Sequence, residues 1–231
     1  MTYLQLAQSL SAFLPVDEEK MEKLKEYASL IVTSNQKFNL TAILEENDII
    51  IKHFYDSLFP LSFFSIEGKK VLDFGSGAGL PGIPFALFTP SAEVTLLDAT
   101  KKKCDFLLTV KERLSLQNVE VIHGRGEDMN KRESFDCVSA RAVASLSVLL
   151  ELVSPLLKVG GYFLALKGKG GEEELFEAKG ALKALGLSLF KEEEYELPEG
   201  KGSRVLLVFK KEKATPKRYP RPYADILKRP L

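Results

Sequence analysis

Apolar positions recur at helical spacing through residues 3–13 and 17–35. In the second stretch Leu24, Tyr27, Leu30 and Ile31 share one face. Asp17, just after Pro15, is placed to cap that helix. NLTAI at 39–43 breaks the pattern and reads as a loop, after which Asn47 or Asp48 starts a further helix running to Leu58. The rhythm then changes. Short apolar runs at 69–74, 93–98, 118–124, 134–140, 160–168, 187–197 and 203–211 alternate with helical stretches at 81–88, 101–114, 145–157 and 172–185. Strands alternating with helices imply a mostly parallel sheet covered on both faces. The last two strands are separated only by Pro198-Glu199-Gly200-Lys201-Gly202, so they can pair antiparallel, which a strict dinucleotide-binding fold would not do. The pattern divides the chain into an N-terminal helical cap at 1–66, an α/β domain at 67–211 and a tail at 212–231, whose prolines and arginines predict an extended course.

The first strand runs directly into DFGSGAGLPGIP, residues 73–84. Glycines after a strand let backbone approach a ligand with no Cβ in the way. A phosphate-cradling loop needs Gly-Lys-Ser/Thr at its end, where this chain has Leu80-Pro81-Gly82. A dinucleotide fingerprint needs glycine at 75, 77 and 80, but position 80 is leucine and the third glycine is Gly79. Pro81 and Pro84 mark the beginning of the next helix. Both fall where backbone donors have no intrahelical partner. The remaining pattern, Asp-x-Gly-x-Gly-x-Gly, resembles class I methyltransferases that use S-adenosylmethionine, with a Rossmann-like, mostly parallel sheet and an antiparallel closing strand. That resemblance makes Asp73, Gly75, Gly77 and Gly79 cofactor-binding candidates. Asp98 ends the second strand, where a carboxylate can accept from both ribose hydroxyls, with Ala99 beside it; Asp98 could equally cap the helix from Lys101. Gly126-Glu127-Asp128 follows the third strand, where adenine would lie.

Composition narrows the setting. The chain has 231 residues, 45% apolar and 28% charged, enough for one large domain or a domain with an added subdomain. Lys+Arg and Asp+Glu balance at 32 each, so no overall field draws it to nucleic acid or membrane. The distribution is uneven: 210–231 carries eight Lys/Arg against Glu212 and Asp225, and acidic runs occupy 172–174 and 192–196. Cys104 and Cys137 lack metal or redox spacing, so no metal is expected and both read as reduced thiols. MTYLQLAQSL lacks the basic start and cleavage site of a secretion signal. No apolar run reaches the ~18 residues of a membrane span. A cytoplasmic monomer with neither DNA nor membrane as partner is the expectation.

Further segments occur in order over nearly the whole chain: NLTAI, His53 with Asp56-Ser57, the full glycine loop, LLDATKKKCDFL at 96–107, GRGED at 124–128, FDCVSARAVASL at 135–146, ALKG at 165–168 and RYPR at 218–221. In these the chain resembles the bacterial small-subunit ribosomal RNA guanine-N7 methyltransferase family, RsmG, also called glucose-inhibited division protein B. GLPGIP and the SARA segment are more specific than the glycines. The resemblance implies methyl transfer from S-adenosylmethionine, leaving S-adenosylhomocysteine, to guanine N7 of 16S rRNA or the 30S subunit. By matching position it implies cofactor contacts at Gly75, Leu80, Gly126, Glu127 and Arg141. Two places depart from the family pattern: Gly126 stands where a larger apolar or small residue is usual, and the tail after Arg221 reads PYADILKRPL.

Guanine N7 has a free lone pair and no proton, so its methylation needs no general base, and the sequence offers no Ser/His/Asp or paired-carboxylate set. Exocyclic amino methylation usually comes with Asn/Asp-Pro-Pro-aromatic, where this chain has Ser139-Ala140-Arg141-Ala142. Cytosine-C5 methylation needs a cysteine in a loop, and ribose methylation a Lys-Asp-Lys-Glu set. Arg141 and Lys167 are the catalytic candidates. Arg141 either holds substrate or cofactor or merely pairs with a carboxylate such as Glu127 or Asp73. Lys167 either contacts an RNA phosphate or the guanine edge or is a solvated strand end. Asn39, His53, Lys101, Lys102, Lys103, Arg125, Arg204, Arg218 and Arg221 are the RNA-binding candidates. The tail either tracks phosphates and stacks bases through Tyr219 and Tyr223 or packs back on the domain.

Overall fold

Val71, Leu72 and Phe74 make KVLDF a short apolar run, and it forms β1 (Lys70–Phe74), buried after its first residue. β2 (Glu93–Asp98), β3 (Val119–His123), β4 (Phe135–Arg141) and β5 (Leu157–Gly168) join it in parallel register. β6 (Leu187–Glu196) and β7 (Ser203–Lys211) complete a sheet of order β3-β2-β1-β4-β5-β7-β6. β7 slots between β5 and β6 and runs antiparallel to both. The final strand is therefore internal, as its apolar core VLLVF requires. The structure is a computed structural model that describes residues 1–37 and 39–231.

Ten α-helical segments surround the sheet among the described residues: α1 (Tyr3–Leu10), α2 (Glu18–Asn35), α3 (Glu46–Ile49), α4 (Asp56–Leu58), α5 (Gly82–Phe88), α6 (Lys101–Arg113), α7 (Leu146–Val153), α8 (Gly171–Glu177), α9 (Lys179–Leu185) and α10 (Tyr223–Lys228). Asp17 caps α2, its side chain accepting from the backbone N–H of Lys20. Between α3 and α4 the chain winds as a π-helix, Ile50–Tyr55. The predicted helix over 145–157 stops at Val153, because Pro155 has no N–H and disfavours helix in the residue before it. The predicted 172–185 helix breaks at Ala178, two residues before the poor helix former Gly180.

The N-terminal helices share one apolar core with α5, α6 and one sheet face; Leu24, Tyr27, Ile31, Phe54, Phe85 and Phe106 belong to it. Tyr27 stacks on Phe54 at 5.6 Å, and its hydroxyl donates to the Ala78 carbonyl at 2.5 Å. The cap thus grips the glycine loop directly. α7, α9 and α10 cover the other face, with Leu149, Leu185 and Ile226 fully or almost fully buried.

The tail is not extended throughout. Arg132 donates to the carbonyls of Tyr219 (2.8 Å) and Thr215 (3.0 Å), Tyr219 and Ile226 are buried, and α10 lies against α7. Arg221 closes the arrangement. Its backbone N–H and guanidinium donate to both carboxylate oxygens of Glu151, which is fully buried in α7. Removing one partner of such a pair strands the other charge in an apolar setting. Arg221→Ala is expected to cost about 2–3 kcal/mol, below the fully buried range because Arg221 is itself partly exposed. Urea unfolding checks this, and a change under about 0.5 kcal/mol would count the pair as idle.

Candidate active site

The strands deliver their C-terminal ends to one rim, and two adjoining cavities open there. The first, of ≈ 280 Å³, is lined by Phe74, Gly75, Leu97, Asp98, Ala99, Lys103, Gly124, Arg125, Gly126, Glu127, Leu152 and Tyr223, with Ala142, Val143 and Ala144 as its wall. The second, of ≈ 660 Å³, lies across that wall and takes in Ile43, Lys52, Asp56, Arg141, Ser145, Leu166, Lys167, Gly168, Glu174 and Arg204. Ala142 in the shared wall has φ +56°, the left-handed region that a residue with a Cβ seldom occupies.

The first cavity has a polar end and an apolar end. At the polar end the Asp98 carboxylate is fixed by two backbone donors: Gly77 N–H to Oδ2 at 2.9 Å and Thr100 N–H to Oδ1 at 2.8 Å. Lys103 Nζ stands 3.8 Å from Oδ2. Each carboxylate oxygen has acceptor capacity left. At the apolar end the Phe74 ring fills the space over Gly126, where a Cβ would come within 2.0 Å of it. This accounts for glycine at position 126. Gly75 has φ +73°, and a Cβ there would meet Val143 at 2.6 Å.

Asp73 does not face this cavity. It is buried behind the loop, where Oδ2 accepts from Gly82 N–H at 3.0 Å and Oδ1 from the Ser139 hydroxyl at 3.1 Å. Its work is to tie the glycine loop to β4 and to the start of α5. Burial pushes its carboxyl up to about 6, against hydrogen bonds that favour the charged form. The unfolded carboxyl titrates near 3.8, so the folded state holds this proton more tightly. That contribution to stability is complete below about pH 4 and is lost as pH rises through about 6. Measured against Asp73→Asn by urea unfolding, the wild-type stability is expected to fall by up to about 3 kcal/mol between pH 4 and 7. A pH-independent difference would contradict it.

Gly77, Gly79 and Leu80 shape the loop from outside the cavity as well. Gly77 spends its N–H on Asp98, Gly79 (φ +94°) packs on Ile83, Leu107 and Tyr27, and Leu80 is core. Gly75, Asp98, Ala99, Gly126 and Glu127 do line the cavity.

Arg141 belongs to the second cavity, and its partners come from the cap rather than from Glu127 or Asp73. It donates to the Lys52 carbonyl (2.8 Å), Asp56 Oδ2 (3.1 Å) and His53 Nδ1 (3.1 Å). Asp56 is nearly buried, and it also accepts from Tyr195 Oη at 2.7 Å and Arg204 Nε at 3.2 Å. In the sequence Asp56 stands out only as part of a segment resembling the family, and nothing local to Tyr195 marks it. Arginine can only donate, so His53 Nδ1 is the acceptor nitrogen and Nε2–H faces Thr41 Oγ1 at 3.1 Å. Burial, then the Arg141 charge, lowers His53 to about 3. His53 is thus neutral near pH 7 and only 2% exposed, so it orients Arg141 and offers no face to RNA.

Lys167 is a buried strand end, not a solvated one. Its ammonium donates to the Ala144 carbonyl and to Glu174 Oε2, both at 2.8 Å, while Glu174 also accepts from Leu146 N–H. It therefore braces the wall between the cavities. Among the RNA-binding candidates, Asn39, Lys101, Lys102 and Arg218 are exposed. Lys103 and Arg125 line the first cavity, Arg204 lines the second, and Arg221 is committed to Glu151. Cys104 and Cys137 are both buried, and burial raises both thiols.

The comparisons agree with this architecture. Solved structures with TM-scores of 0.57 and 0.53, each 17% identical, include a SAM-dependent methyltransferase from Aquifex aeolicus (80% of this chain, 97% of that one) and Aeropyrum pernix fibrillarin in complex with S-adenosyl-L-methionine (67% and 73%). At such identity they share the fold alone, the class I methyltransferase sheet. Sequence relatives are nearer. "Ribosomal RNA small subunit methyltransferase G" of Staphylococcus aureus is 43% identical over 100% of this chain and 99% of its own. The protein of that name from Lactococcus lactis is 44% identical over 94% of each. The family model described as "rRNA small subunit methyltransferase G" matches residues 20–197, which take in most of the cap, the glycine loop, the sheet through β6 and the lining of both cavities apart from Arg204 and Tyr223. A chain that pairs this full-length identity with a cap locked onto the SARA arginine belongs to the rRNA small subunit methyltransferase G family.

Proposed function

We propose that the chain transfers a methyl group from S-adenosylmethionine to N7 of a guanine in small-subunit rRNA, acting as a monomer on the 30S subunit in the cytoplasm. The observation that carries this reading is the pair of cavities divided only by residues 142–144. One holds a fixed carboxylate beside an apolar slot, a donor–acceptor set that fits a ribose and a flat base. The other is lined by Lys52, Arg141, Lys167 and Arg204 against Asp56 and Glu174, and its excess of cations suits an anionic nucleotide. The cap at 1–66, the domain at 67–211 and the tail at 212–231 act in this reading as one unit.

The cofactor supplies an electrophilic methyl group on a sulfonium. Asp98 would hold its ribose, Phe74 and Leu97 its base, and Gly75 and Gly126 allow backbone to approach it closely. The acceptor N7 carries no proton, so the site needs no base. His53 is neutral and turned to Arg141, and Asp73 is sealed behind the loop. What remains is positioning, which can supply on the order of 7–11 kcal/mol when acceptor and donor are held in line. Arg141, fixed from three sides by Lys52, His53 and Asp56, is the group best pre-organised for that task. Arg204 and the exposed Lys101 and Lys102 add phosphate contacts. The chain has no net charge, so binding to deproteinised rRNA is weak, and the folded particle supplies the fit.

Tritium transfer from labelled cofactor tests the reading. Incorporation into 30S subunits lacking the modification, exceeding that into deproteinised rRNA, is expected. Cofactor uptake without transfer to any ribosomal RNA would instead mark a cofactor-sensing module.

A further inference from the structure

The first cavity has one wall that no part of the class I sheet provides. After β7 the chain meets the C-terminal end of α9, where the backbone N–H groups of Glu212 and Lys213 donate to the Gly186 carbonyl. It is then held by Arg132 at Thr215 and Tyr219, and by Glu151 at Arg221. These fixings end two residues before Tyr223, the first residue of α10, and Tyr223 lines the cavity beside Leu152, the neighbour of Glu151. The Arg125 guanidinium lies 5.9 Å from the centre of the Tyr223 ring. The ring is half-buried: it packs against the core under α7 and keeps surface toward the cavity.

We infer that the C-terminal segment is a working wall of the cofactor site, with Tyr223 as the aromatic face against which the adenine lies. The inference rests on the methyltransferase reading of this cavity. Its ends are chemically distinct. Asp98 is at the polar end, while the Phe74 ring covers Gly126 and shares one apolar cluster with Leu97 and Leu152, against which Tyr223 packs. A purine, flat and apolar on its faces, belongs between aromatic walls, and the ribose belongs on the carboxylate. The Arg221–Glu151 pair then has a functional consequence, since it fixes the chain two residues from the ring. The tail then contributes to the cofactor site through Tyr223.

Calorimetry on the full chain tests this with three ligands: S-adenosylhomocysteine, adenosine and methionine. Tyr223→Ala is expected to weaken S-adenosylhomocysteine and adenosine by the same factor, about tenfold. In 30S methylation it should raise the KM for the cofactor with kcat retained. Tyr223→Phe keeps the ring and is expected to bind as the wild type does. Tyr223→Leu keeps apolar contact without the aromatic face; it should lose most of the affinity and serves if the alanine variant does not fold. Affinity that is unchanged or tighter in Tyr223→Ala or Tyr223→Leu would overturn the inference, the tighter case meaning that the ring plugs the slot. Failure of the wild type to take up either adenosine compound would instead bring down the methyltransferase reading and this inference with it.

Discussion

Replacing Arg141 with alanine is expected to lower methyl transfer to 30S subunits by about two to three orders of magnitude, the range for losing one pre-organised hydrogen-bond donor. Cofactor affinity should stay close to wild type, because Arg141 opens on the second cavity and not the first. The separation of the two effects matters more than the size of either. If Arg141 were a cofactor ligand, as matching position alone implied, binding and turnover would fall together. Arg141→Lys should rescue little. A lysine cannot satisfy the Lys52 carbonyl, Asp56 and His53 at once in the planar geometry that now holds the guanidinium. Single-turnover transfer at saturating cofactor, together with calorimetry, reads both quantities. Full activity in Arg141→Ala would remove it from the reaction.

Asp56→Ala is expected to cost about 3–5 kcal/mol of stability and to abolish measurable transfer. Asp56 is the only side chain that touches Arg141, Arg204 and Tyr195 among the described residues, and its own side chain is 4% exposed. Removing it leaves two guanidinium groups crowded without a counter-charge and strands the Tyr195 hydroxyl. The same change cuts the link by which α4 in the cap is fastened to β4, β6 and β7. Asp56→Asn keeps the shape and one acceptor and should fall between. Urea unfolding and 30S methylation check both variants. A stability loss under about 1 kcal/mol in Asp56→Ala would mean that the cluster is not the clasp described here.

Much of this molecule is legible in the sequence. Alternating strand and helix periods give the sheet, and the short 198–202 turn gives the antiparallel pairing of β6 and β7. The glycines give the loop, and Asp98 at a strand end gives the carboxylate of the first cavity. The rest depends on contacts between residues far apart in the chain. Nothing local to SARA says that its arginine will meet Asp56, 85 positions earlier, because that meeting follows from how the cap packs. Asp73 leads the glycine motif and so reads as a ligand; only its burial behind Gly82 and Ser139 assigns it to the loop. One signal was there to be used. Glu151 is the single charge in LSVLLELV, a helix whose other residues are apolar except Ser147, and such a buried carboxylate calls for a cation. The tail supplies that cation in Arg221, so the fold-back of the tail was partly written in α7.

The account depends on a sulfonium methyl group and an unprotonated ring nitrogen meeting across residues 142–144. Chemical cleavage at N7-methylguanosine, applied to 16S rRNA from 30S subunits treated with the enzyme and cofactor, tests it most directly. The prediction is strand scission at one guanosine, absent when cofactor or enzyme is omitted and lost with Arg141→Ala. Methyl label recovered on an exocyclic amine, a ribose or a pyrimidine carbon, with no scission at any guanosine, would contradict it.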